Sequence, residues 1–190
     1  MDKLMPFDEL NVLKTQITNI FENGEEERKR YADYLEDEIL DLLVLSFVYG
    51  ETAANDMLGT DIELSREDIQ ASVGKEIAGK NWIQRVSEYI ENGTVEDVMR
   101  VVETDSHRIY NDAIDGVGKK AESTGEVIFK TWETMGDERV RDTHSYLEGM
   151  TIPFSERFFT YDGDSADKPG DFFTAENNVG CRCRLRLTKK

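Results

Sequence analysis

A change of period near residue 122 constrains this chain most. Up to about Ala121 the apolar side chains recur every three or four positions, as on one face of a helix, and from Glu126 they alternate, as on a strand. Helices first and strands afterwards make an α+β chain.

Residues 7 to 22 place Phe7, Leu10, Leu13, Ile17, Ile20 and Phe21 on one stripe, and Asn23-Gly24 ends that helix. The next segment opens with Glu25, Glu26 and Glu27, favourable near a helix N-terminus, and its apolar positions predict one long helix over 25–58. Within it, Ile39 to Tyr49 is apolar almost all round, which predicts burial among neighbours or at an interface, with the first helix as antiparallel mate. Ser65 with Asp68 forms a capping-box pattern, and two short helices follow, ending at Asn92-Gly93. Thr94 caps a last long helix running to about Ala121.

Glu126 to Glu133 reads as a strand with Ile128, Lys130 and Trp132 on one side. Gly136-Asp137 makes a turn, with Asp137 expected to cap a short helix carrying Val140, His144 and Leu147, and Gly149 stops it. Residues 150 to 179 form a long irregular stretch with aromatic anchors. Cys181 to Leu187 closes as a strand, its cysteines and leucines on one face and Arg182, Arg184 and Arg186 on the other. The expected architecture is a helix-rich acidic region, 1–93, followed by a small strand-helix-loop-strand unit, 94–190.

Charge narrows the function classes. The net charge is −17, most of it in the first half of the chain, so nucleic-acid binding is expected to be weak or absent and a protein partner is expected first. The longest apolar run is too short to cross a bilayer, and Met1 to Pro6 lacks the basic cluster and apolar stretch of a secretory signal, so synthesis in a cytoplasm is expected. Cys181 and Cys183 enclose a single residue, too small a loop to constrain the unfolded chain as a structural disulfide does.

In the second half, Lys130-Thr131-Trp132, then Gly136-Asp137-Glu138-Arg139-Val140-Arg141 to His144, Leu147 and Gly149, and finally Cys181-Arg182-Cys183 form a demanding pattern. It resembles the phage Mu F-like head morphogenesis family, the minor head proteins of tailed phages. Upstream, Thr104, Asp105, Arg108 and Asn111 are similar to that family's Thr-acid-x-x-Arg-x-x-Asn helix, although Glu103 stands where the family usually has arginine. The resemblance covers about residues 97 to 187. It implies a non-enzymatic virion component inside the head near the portal vertex, partnered by the portal protein and other head proteins, acting in head assembly or DNA delivery. The acidic helices and the Ile39–Tyr49 segment would then supply the docking surface.

The residues themselves leave several chemistries open. Structurally, Arg139 or Arg141 is expected to pair with Asp105 or Glu103 and clamp helix to sheet. His144, Cys181 and Cys183 carry the donors zinc prefers, with His107 or an Asp needed as a fourth; no cofactor is expected otherwise. On a straight strand the two cysteines stand about 6.5–7 Å apart, so sharing an ion requires a bend. The same three residues form a Cys-His pair on paper, the basis of a hydrolase or toxin-like alternative, but no nucleophile signature accompanies them. Asp162, Asp164 and Asp167 lack the spacing of an EF-hand and read as a solvated turn. The basic face of the last strand reads as exposed and neutralised by the acidic half.

Overall fold

The computed structural model describes residues 7–190, without the Phe7 side chain; the Met1–Pro6 segment lies outside the described residues. Helices α1 (Phe7–Glu22), α2 (Glu25–Arg30), α3 (Ala32–Leu58), α4 (Arg66–Val73), α5 (Trp82–Asn92) and α6 (Val95–Ser123) come first. Strand β1 (Ile128–Glu133), the one-turn α7 (Asp142–Ser145), β2 (Thr151–Pro153), β3 (Phe158–Phe159), β4 (Ser165–Ala166), α8 (Ala175–Asn178) and β5 (Arg184–Lys189) follow. The chain is α+β, with its sheet elements after its long helices.

Capping chemistry sets the starts of three helices. Ser65 with Asp68, Asn81 with Gln84 and Thr94 with Asp97 each close a reciprocal pair of hydrogen bonds, satisfying N–H groups that an uncapped helix leaves open. The long second helix expected over 25–58 is interrupted at Tyr31, which leaves helical backbone geometry (φ −106, ψ 11). The break lets α2 pack on α5 while α3 runs along α6.

Helix α6 is the spine. Val98, Val102 and Ile109 join a core with α1, α3 and α5, while Ile114, Val117 and Ala121 join a second core beneath the sheet with Trp132, Leu185 and Leu187. α3 reaches both cores through Leu43 and Phe47 at one end and Ala54 and Leu58 at the other. Gly50 permits this: a Cβ there would stand 2.2 Å from the Tyr110 carbonyl oxygen, so only hydrogen lets the two backbones approach. The Ile39–Tyr49 segment is therefore mainly core, buried among neighbouring helices as its all-round apolar character predicts; Leu40 and Val48 are its exposed apolar members.

The sheet is antiparallel in the order β2-β1-β5, with Trp132 opposite Leu185 and Lys130 opposite both Leu187 and Ile152. Its buried face packs on α6. Residues 150–179, read as irregular, hold β2, the β3-β4 hairpin and α8, elements too short to show a period. None of the helices among the described residues is long and apolar enough to cross a membrane.

Candidate functional site

Two side chains of α6, Thr104 and Asn111, hold the closing segment from Gly180 to Leu185 against that helix. Thr104, Arg108 and Asn111 fall at a four-residue and then a three-residue step on α6 and share one side of it. The Thr104 hydroxyl accepts from the Gly180 N–H at 3.1 Å. Asn111 donates to the Cys183 carbonyl at 3.1 Å and to the His107 carbonyl at 2.8 Å, and accepts from the Leu185 N–H at 2.7 Å. Its buried amide is thereby fully used, and the strand is fixed in register on the helix.

Arg108 is buried and works differently. It donates to Asp105 Oδ1 at 3.1 and 3.2 Å, to Asp112 Oδ2 at 2.8 Å and to the Ser72 carbonyl at 3.0 Å, while Arg85 also reaches Asp105 at 2.7 Å. Asp105 is thus partnered from α5 and from its own helix, so the expected clamp from Arg139 or Arg141 is corrected. Arg141 instead donates to the Val179 carbonyl, and the backbone N–H of Arg139 meets Asp137 at 3.2 Å. Burying these charges is tolerable because each has several partners.

Asp137 does not cap α7, whose N-cap position is Arg141 and has no side-chain cap. It receives a two-pronged pair from Arg182 at 2.6 and 2.8 Å, and the guanidinium holds its carboxyl below the usual range. Charge-assisted forks of this kind fix orientation as well as distance. Arg184 and Arg186 both pair with Glu133 of the neighbouring strand, and Lys189 with Glu126. The basic face is neutralised as expected, but by acids of its own half rather than by the acidic helices, because the antiparallel register puts them across the ladder.

Between the last strand and α7 lies the sulfur-imidazole cluster. His144, Cys181 and Cys183 are all buried, and their ligand atoms lie within 4.8 Å of one another. His144 Nδ1 is 3.6 Å from Cys181 Sγ and 3.4 Å from Cys183 Sγ. β5 starts only at Arg184, so the cysteines precede the strand rather than belonging to it, and left-handed Gly180 (φ 67) bends the chain there. The two cysteines are therefore not held at the spacing expected of a Cys-x-Cys pair on a straight strand. Hydrogen bonding from Cys183, opposed by burial and aided by His144, lowers the Cys181 pKa well below the ordinary thiol value, while the Cys181 sulfur and burial raise Cys183.

Aromatic walls enclose the cluster. The His144 ring stacks on Phe172 at 5.3 Å and meets Trp132 edge-on at 5.6 Å, and Trp132 is completely buried. The Gly149 N–H returns to the Trp132 carbonyl at 2.9 Å, with Gly149 in the left-handed region (φ 71). His107 lines a shallow recess beside both cysteines, outside the cluster of three, and burial holds it neutral with a pKa of about 4.

One residue had no distinct sequence signal. Asp164, expected in a solvated turn, is buried, and its carboxylate accepts from the N–H groups of Ser165 and Phe173, from Thr174 Oγ1 at 2.6 Å and from Asn177 Nδ2 at 3.0 Å. Burial raises its pKa, but these hydrogen bonds win and bring it to about 2. Asn177 also meets Thr143 at 3.0 Å, so Asp164 ties α8 to α7. Asp162 accepts from Thr160 and Asp167 pairs with Arg157, leaving the three acids facing different partners rather than one ion.

The phage Mu protein F like protein family matches residues 65–186, starting earlier than the motifs of the second half alone and taking in α4 and α5. A curated relative, NAD(+)--arginine ADP-ribosyltransferase EFV of Enterococcus faecalis, is 29% identical over 102 residues, which is 54% of this chain and 20% of that protein. The chain thus spans about a fifth of the curated relative it matches. No solved structure matches it. With the family match extending over most of the chain, including every clasping residue from Thr104 to Cys183, the chain belongs to the phage Mu protein F like family, and with it to the proteins of the phage head.

Proposed function

We propose that this chain is a non-enzymatic minor head protein, placed inside the head near the portal vertex and acting in head assembly or DNA delivery. The observation that carries the reading is the enclosure of the chemically capable residues. A catalytic thiol needs exposure to its substrate as well as a low pKa, and Cys181, Cys183 and His144 are each less than 5% exposed behind Trp132 and Phe172. The hydrogen bonds and ion pairs around the cluster join the chain end to α6, β1 and α7, which is the work of a module that must hold together under assembly rather than turn over a substrate.

Docking falls to the outer side of α3. Asp33, Tyr34, Asp37, Leu40, Asp41 and Val48 are exposed along one side of that helix, alternating carboxylates with apolar groups. An apolar surface inside a charged rim is the composition of a protein interface, and its negative charge suits a basic patch on the portal protein. Purification of assembling heads is expected to recover this chain with the portal protein, and Leu40→Arg together with Val48→Arg is expected to weaken recovery at least several-fold while leaving the fold intact. Heads that show this chain without portal contact would overturn the placement.

A further inference from the structure

The sulfur-imidazole cluster gathers three donor atoms at one point, more than the hydrogen bonds of one imidazole use. A neutral imidazole has one acceptor nitrogen with one in-plane lone pair, yet two thiols converge on His144 Nδ1 at 3.4 and 3.6 Å. The lone pair satisfies one S–H donor well, not two. Nor does the rest of the ring gain by the arrangement, since His144 Nε2 is buried without a hydrogen-bond partner among the described groups. A buried N–H left open is a cost that a coordinate bond at Nδ1 offsets and a shared thiol contact does not.

The distances match a different occupant. An ion bound tetrahedrally at about 2.3 Å from sulfur and about 2.0–2.1 Å from nitrogen sets each sulfur about 3.6 Å from the nitrogen. The two measured separations fall at that tetrahedral edge, and both sulfurs lie on the Nδ1 side of the ring. The chain at the cysteines is not yet strand, and the Asn111 and Thr104 hydrogen bonds fix the backbone on either side of the pair. Thiolate and imidazole together favour zinc over the hard cations that oxygen ligands select.

We infer that His144, Cys181 and Cys183 form a zinc site with three protein ligands, which locks the chain end onto α7. The fourth position belongs to a solvent-derived ligand reached through the shallow recess beside His144 and Cys183, where Arg139, Arg141 and Arg182 stand. His107 is outside the ligand set, since its ring nitrogens are not part of the converging cluster. Binding displaces the thiol protons and leaves both sulfurs as thiolates, with the imidazole neutral. This inference does not rest on the head-protein reading.

Elemental analysis tests it directly. Untagged protein equilibrated with zinc and freed of loose metal by gel filtration is expected to hold about one zinc per chain, the stoichiometry of a single site. Cys183→Ser and His144→Gln are each expected to cut the zinc at least tenfold, while His107→Gln retains it, with circular dichroism confirming that each variant is folded. Should the ligand variants fail to fold, the unmodified protein still decides: cobalt in place of zinc is expected to show thiolate-to-metal charge-transfer absorption. Zinc well below one per chain with both thiols titratable, cobalt without charge-transfer bands, or a mass two hydrogens lower from a Cys181–Cys183 disulfide would each overturn the site.

Discussion

Asn111 illustrates how much a single side chain can fix. Its amide joins the α6 backbone to two backbone groups on either side of Arg184, and each is buried. Asn111→Ala removes these bonds and strands the Leu185 N–H, a loss expected to cost about 2–4 kcal/mol on the scale of unsatisfied buried groups. Chemical denaturation of the variant checks it. Asp164 gives a pH signature. Its folded-state pKa of about 2 lies below the ordinary 3.8, so ionisation is favoured by folding. The associated stability is fully present above about pH 4 and is lost as pH falls through about 2. The stability difference between the natural chain and Asp164→Asn is therefore expected to shrink across that window, read from denaturation midpoints at successive pH values; a difference that stays constant would contradict the assignment. Thr104, Arg108 and Asn111 were legible as a set through the resemblance to the family's helix pattern. Their partners were not, because spacing along α6 says nothing of what arrives from residues 72, 180 and 183. Asp164 was hidden by its setting, since three acids among Gly and Ser look like a surface turn until their donors are known.

Among the elements, the long helices were readable and the short ones were not. α1, α4, α5 and α6 carry clear apolar stripes, with capping pairs at α4 and α6 read in advance, so their existence followed from the sequence, while the break at Tyr31 left no Gly or Pro to mark it. α8, β3 and β4 span four residues or fewer and are held by tertiary hydrogen bonds, which a local pattern does not record; α7 was expected around His144, but with its start at Asp137 rather than Asp142. The α3–α6 crossing offers the clearest test at this scale. Gly50→Ala forces a methyl group against the Tyr110 carbonyl, and the helices must separate or bend. A loss of about 1–3 kcal/mol is expected from overpacking, with the far-ultraviolet helical signal retained. An unchanged melting temperature would mean that the two backbones are not in contact there.

Across the whole molecule, α3 and α6 belong to both cores, so the acidic helices and the sheet unit are mechanically continuous. Thermal unfolding followed by tryptophan fluorescence and by circular dichroism is expected to give coincident transitions, since Trp82 reports one core and Trp132 the other. The division read from the change of charge and period places the composition of the two halves well, but it says little of packing, because a helix shared by two cores has no boundary in its own sequence. The aromatic walling of the sulfur-imidazole cluster on one side also belongs to this scale, since it comes from β1, α7 and the segment around Phe172 together. A chain that serves by attachment must be present where the particle is built. Quantitative mass spectrometry of purified virions tests that most directly: the account predicts this chain at a few copies per particle against the major capsid protein, and its absence from both assembling and mature particles would contradict it.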